Sequence, residues 1–216
     1  MMQPGTPAAQ TTGAWQRILK RRPPLTGERC EMCAEEIDER HAHVVNVDQR
    51  ALMCVCRACY LLFTGEGAAR GHYRAVPDAY ERVEPIVISE AQWAELGIPV
   101  SPAFFFHNSQ LGRAAAFYPS PAGATESLLP LDAWEAIVAA NPALQRLAPD
   151  VEGVLIRRQP AGFECYRLPI DRCYELVGLL RLHWRGFDGG DDVHAAIAAF
   201  FVDVASRCAV ASGGDA

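Results

Sequence analysis

The sequence predicts an α+β fold: an N-terminal metal-binding module, then a mostly antiparallel sheet with packed helices. Three observations predict it. Two close cysteine pairs, Cys30 with Cys33 and Cys56 with Cys59, sit near the start of the chain. Two pairs of apolar runs, "AFFFHNS" with "GRAAAFYP" and "VEGVLIRR" with "GFECYRLP", are joined by turn residues and read as β-hairpins. Two segments of helical period follow: one carries Ile170, Cys173, Tyr174, Val177 and Leu180 on a single face, the other Val193, Ile197, Phe200, Phe201 and Val204. Strands followed by helices, without a βαβ alternation, point to α+β and not to a parallel sheet.

Taken in order, residues 1–14 are poor in large apolar side chains and read as a disordered tail. "WQRILKRR" reads as a short basic helix stopped by Pro23-Pro24. Residues 15–78 are read as the metal module and 79–210 as the α+β domain. Within the module, "HAHVVNVDQRALMCV" reads as a hairpin turning at "DQR", and "CRACYLLF" as a helix beginning near Cys56. "EPIVIS" reads as a strand, and Ser89 with Gln92 as a capping box opening a helix that Gly97 ends. "LDAWEAIVAAN" reads as a helix capped by Asp132 and closed before Pro142.

The cysteines carry the most specific chemistry. Cys30-x-x-Cys33, a gap of 22 residues, and Cys56-x-x-Cys59 give two thiol pairs, each on a turn short enough to aim at one ion. Together they supply a tetrahedral four-sulfur site, and zinc is the ion expected. Knuckle, hairpin and helix in this order suggest a treble-clef or zinc-ribbon-like arrangement. Iron is the rival, since a rubredoxin uses the same cysteine count. Rubredoxin pairs enclose Pro and are followed by Gly, whereas here Glu31-Met32 and Arg57-Ala58 lie inside and Ala34 and Tyr60 follow. Cys54 shares strand parity with Cys56 and is read as a core thiol or an outer partner of the site, a Cys54–Cys59 register being the alternative. His41 and His43 are read as packing residues of the hairpin or outer partners, with replacement of one sulfur as the alternative. Cys165, Cys173 and Cys208 fall on apolar faces and read as small core residues.

The second half offers one further polar segment, "FYPSPAGATESLLPLDAW", in which Ser120, Thr125, Glu126 and Ser127 could form a small polar loop site. It lacks the phosphate-loop lysine, the dinucleotide-binding glycines and a G-x-S-x-G elbow. No catalytic set is singled out, and a non-enzymatic role is expected.

Charge narrows the partners. Residues 1–80 carry 10 basic and 9 acidic side chains, and the remainder carry 10 and 17, so the larger domain repels polyanions and nucleic acid is disfavoured. No run of apolar residues is long enough to span a bilayer. The first residues show neither the basic nor the apolar region of a secretion signal, so a cytoplasmic location is expected, where thiols serve as ligands more often than as disulfides.

Five segments, "RCEMC", "MCVCRACYLLF", "IPVSPAFFFHNS", "AFYPSPAGATESLL" and "PIDRCYELVGLLRLHWRGF", resemble a bacterial protein family without an assigned activity, encoded beside nickel–iron hydrogenase genes. The resemblance runs from about residue 15 to 205. It implies a context, hydrogenase assembly or electron transfer, and a protein partner such as a hydrogenase subunit or maturation factor. It implies no catalytic residue. The expected function is a non-catalytic accessory protein with a structural zinc site. A rubredoxin-like iron electron carrier and a zinc-finger nucleic-acid-binding regulator are the alternatives.

Overall fold

The computed structural model describes residues 27–120, 123–127, 132–184 and 190–212. The basic segment around Lys20 and the N-terminal tail lie outside these residues. So does the stretch that joins the last two helices.

A small sheet comes first. Strands β1 (Ala42–Asn46) and β2 (Ala51–Val55) form the expected hairpin, and β3 (Tyr73–Ala75) adds to the free side of β1, giving the order β2-β1-β3. Helix α1 (Arg57–Leu61) follows β2 directly, with Cys56 as its N-cap. The second sheet has six strands. These are β4 (Glu81–Arg82), β5 (Ala103–Asn108), β6 (Arg113–Ser120), β7 (Gly123–Ser127), β8 (Glu152–Gln159) and β9 (Gly162–Pro169), in the order β4-β9-β8-β5-β6-β7. Every pairing among these strands is antiparallel. Helices α2 (Glu90–Glu95), α3 (Asp132–Ala140) and α4 (Pro142–Gln145) lie within the strand succession, and α5 (Ile170–His183) and α6 (Gly190–Ser212) close it.

The large sheet is covered on both faces, which explains why "AFFF" shows no alternation with polar residues. Phe104, Phe106, Leu155, Tyr166 and Leu168 point into one core with Cys173, Leu176, Phe200 and Val204 of α5 and α6. Their strand neighbours Ala103, Phe105, Val154, Ile156 and Cys165 point into the other, with Trp93, Trp134 and Ile137 of α2 and α3. The Phe105 and Trp134 rings stack at 4.0 Å, nearly parallel. Gly153 on β8 allows α5 to approach closely: a Cβ there would meet Cys173 Sγ at 2.8 Å.

The small sheet docks on the first of these cores. Val45, Val47 and Val76 are buried in it, and Arg74 Nη1 donates to the Pro149 carbonyl at 2.8 Å. The opposite face of the hairpin makes a separate small cluster, with Val44 and Val55 against Cys30. Period-two alternation therefore divides the β1–β2 hairpin into a knuckle face and a domain face.

Some expectations need correction. "EPIVIS" is not a strand: Pro85 has no N–H to give, and the Val87 N–H and carbonyl bond the side chain of Asn141 instead of a neighbouring strand. Asp132 lies in the first turn of α3 and not before it, whereas Pro142 lies just past the end of α3, as expected, and opens α4 after Asn141. On α5 the buried stripe includes Leu176, while Tyr174 is 39% exposed. The polar segment after β6 folds back as the β6–β7 hairpin and not as an open loop. The capping box of Ser89 and Gln92 is present, with both reciprocal bonds made.

Candidate metal centre

The knuckle starts where Arg29 bridges Glu36. Cys30 N–H donates to the Glu35 carbonyl at 2.8 Å, and Ala34 N–H returns to the Cys30 carbonyl at 2.8 Å, closing a tight turn over Cys33. Ala34 adopts φ 63°, a left-handed conformation that glycine takes at least cost. Glu31 fastens the knuckle to β2: its N–H donates to the Cys54 carbonyl at 2.9 Å, and its Oε1 accepts the Cys54 N–H at 2.7 Å. On the far side Cys56 caps α1, its sulfur accepting the Cys59 N–H at 3.5 Å.

These turns bring Cys30, Cys33, Cys56 and Cys59 together, every sulfur within 4.8 Å of every other. Cys33 and Cys56 are 3.6 Å apart. A tetrahedral ion with bonds of about 2.3 Å to sulfur would hold its ligands roughly 3.8 Å apart, so the cluster has the size of a four-thiolate site. Cys30 is buried and Cys33 exposed.

Electrostatics points the same way. Burial pushes the Cys30 thiol up, but amide donors at Cys56, Cys33 and Met32 outweigh it and bring Cys30 down to about 6. Cys59 is driven in the other direction, to about 12, by burial and by the thiols of Cys33, Cys56 and Cys30. At Cys33 the Glu35 amide lowers the thiol, and the Cys30 and Cys56 sulfurs raise it further than that. Neighbouring sulfurs thus oppose the ionisation of Cys33 and Cys59, and the charge that would let them ionise beside Cys30 is that of a cation.

Of the residues expected around this centre, Cys54 is not one of the four. It stands opposite His43 in the β1–β2 ladder and groups with His41 and His43. Burial first, and Glu31 and Glu28 next, raise its thiol, so Cys54 is not an activated nucleophile. Cys165, Cys173 and Cys208 are buried in the cores, as expected. Ser120 and Thr125 face each other on the β6–β7 hairpin, Thr125 Oγ1 donating to Ser120 Oγ at 2.9 Å. Glu126 pairs with Arg113 at 3.3 Å, and Ser127 is buried. These four side chains lie on adjacent strands, and alternation along β7 puts Glu126 on the opposite face from Thr125 and Ser127.

Asp171 was not visible as a site residue from sequence. The first turn of α5 presents it to His43, with Nδ1 and Oδ2 2.8 Å apart. The histidine and the carboxylate are 128 positions apart, and no local signal connects them.

Among the described residues, no helix is long and apolar enough to cross a membrane. No curated protein and no solved structure matches the chain. The model of one family, described as a family of unknown function (DUF5947), matches residues 29–208, which takes in all four clustered cysteines and both closing helices. The chain belongs to that family, DUF5947.

Proposed function

We propose that the protein is a non-catalytic accessory protein whose N-terminal module is held by a structural zinc ion and whose larger domain binds a protein partner. The observation that carries the metal reading is the four-sulfur cluster, with its members within 4.8 Å and its turns closed by backbone amides. Four thiolates with no open position suit a structural ion, and the succession of knuckle, hairpin and capped helix supports a treble-clef-like module. The knuckle-side cluster fully buries Cys30, Val44 and Val55, with Met32, Ile37, Tyr60 and Phe63 only partly covered, so a bound ion would add stability that this small core lacks.

The partner reading rests on the resemblance to proteins encoded beside nickel–iron hydrogenase genes, and the partner proposed is a hydrogenase subunit or maturation factor. Metal analysis of protein purified without oxygen tests the first half. One zinc per chain at this site, lost in Cys30→Ser or Cys56→Ser, is the expected result. Iron with visible charge-transfer bands would turn the reading to a rubredoxin-like electron carrier. Affinity capture from a native host tests the second half: recovery of a hydrogenase component is expected, and capture that repeatedly returns none would count against it.

A further inference from the structure

The domain face of the β1–β2 hairpin carries a second donor set. His41 immediately precedes β1, His43 lies on it, and His43 stands opposite Cys54. Residues two apart on one strand and residues directly opposite on the next share a face, so the three side chains converge. One donor atom of each lies within 4.8 Å of the others. The two imidazole centroids are 4.8 Å apart.

The hydrogen bonds fix which nitrogens remain free. His41 Nδ1 is 2.8 Å from the Asp38 carbonyl and 3.4 Å from Glu28 Oε2, and His43 Nδ1 is 2.8 Å from Asp171 Oδ2. A carbonyl and an ionised carboxylate can only accept, so Nδ1 of each ring carries a hydrogen, and in the neutral imidazole Nε2 carries the lone pair. This is the outer bonding by which proteins orient metal-ligating histidines. His41 Nε2 is buried without a hydrogen-bond partner, and its side chain is only 10% exposed. A buried nitrogen left unpaired costs about 1–3 kcal/mol, so its burial here calls for a partner.

We propose that His41 Nε2, His43 Nε2 and the Cys54 sulfur form a second metal site that takes Zn²⁺ or a similar borderline divalent ion, with a fourth position for water or an exogenous ligand. Two imidazoles and one thiolate suit such an ion, and three protein ligands are the number found where zinc keeps an exchangeable position. The ion displaces the Cys54 thiol proton to solvent, and both imidazoles stay neutral. The Cys54 backbone is pinned on both sides by Glu31, which holds the sulfur in place. His41 and His43 also line a groove of about 1100 Å³ between the small sheet and helices α5 and α6, so the histidine side of the site faces open space. Asp171, on α5, would thereby tie the ion to the larger domain. The site shares no ligand with the four-sulfur cluster.

The test uses the full chain, purified without oxygen, loaded with Zn²⁺ or Co²⁺ and freed of loose ion by gel filtration. Two ions per chain are expected, with one lost in Cys30→Ser and the other lost in His41→Ala/His43→Ala and in Cys54→Ser. Cobalt in Cys30→Ser should show a single sulfur charge-transfer envelope whose visible bands shift when azide is added, reporting the exchangeable position. Should a variant fail to fold, the wild-type cobalt titration decides: two successive equivalents with different spectra support the site. One ion in the wild type, lost in Cys30→Ser and untouched by the histidine changes, overturns this proposal and leaves the four-cysteine reading standing. One ion with the reverse dependence supports it and overturns the four-cysteine reading. No ion at all overturns both.

Discussion

Replacing Cys30 by serine tests how much of the small module's stability the proposed zinc ion supplies. Val44 and Val55 are the fully buried apolar side chains on the knuckle face, besides Cys30 itself. At about 1.5–3 kcal/mol each they contribute roughly 3–6 kcal/mol. A structural zinc contributes on the order of 10–16 kcal/mol in apparent free energy at neutral pH. The ion therefore outweighs these two side chains roughly two- to fivefold, and its loss should open the knuckle and α1 while β1 and β2, held on the large domain through Val45, Val47 and Leu52, stay closed. Hydrogen–deuterium exchange read by mass spectrometry reports this directly. In Cys30→Ser, or after chelation of the wild type, peptides over the knuckle and α1 should lose protection by several orders of magnitude. Peptides over β5, β8 and β9, packed on both faces, should change little. Equal exchange over the knuckle and α1 with and without the ion would refute the reasoning, because packing alone would then hold them.

Three further outcomes are expected. Gly153→Ala should lose about 1–3 kcal/mol by overpacking, since its Cβ would sit 2.8 Å from Cys173 Sγ, and denaturant melts should show much of that loss recovered in Gly153→Ala/Cys173→Ala. Asn141→Ala should lose about 3 kcal/mol in the same assay: Asn141 is buried, and it bonds both the N–H and the carbonyl of Val87 and the carbonyl of Ile137. Stability should also fall in alkali. Burial raises Cys165 to about 12 and raises Cys173 as well, from an ordinary value of 9.0. The folded state then keeps protons that the unfolded chain releases, so the contribution is complete below pH 9 and is lost as pH rises towards 12, at about 1.4 kcal/mol per pH unit for each thiol. Melts of Cys165→Ala/Cys173→Ala from pH 8 to 11 should show a shallower decline.

What could be read from the sequence was mostly local. The cysteine spacing picked out the four thiols that cluster, and the turn residues between apolar runs placed three hairpins, because both signals act over a few positions. The capping box of Ser89 and Gln92 is local in the same way. The misreadings share a different cause. Residues 84–89 have strand composition, yet the partner of Val87 is Asn141, far along the chain. Tyr174 and Leu176 exchanged roles on α5 because its buried face is set by how the helix lies across β6, β7, β8 and β9, which its own periodicity leaves open. Strands β3 and β4 are short and charged, and each exists because a longer strand presents an open edge to it. The grouping of His41, His43 and Cys54 was within reach: a hairpin turning at "DQR" sets His43 against Cys54 once the register is counted. Asp171, which completes the group, was not.

The two-faced hairpin has a consequence for change by insertion. Its strands meet in one register, Val44 opposite Met53 and His43 opposite Cys54. Adding or removing one residue in the turn at 47–50 would slip that register and send each side chain of one strand to the other side. Val55 would then leave the knuckle, while Cys54 would leave the histidines. The turn acts as a length gauge for the whole N-terminal region: side chains on either face can be exchanged one at a time, but the number of residues between the strands cannot drift.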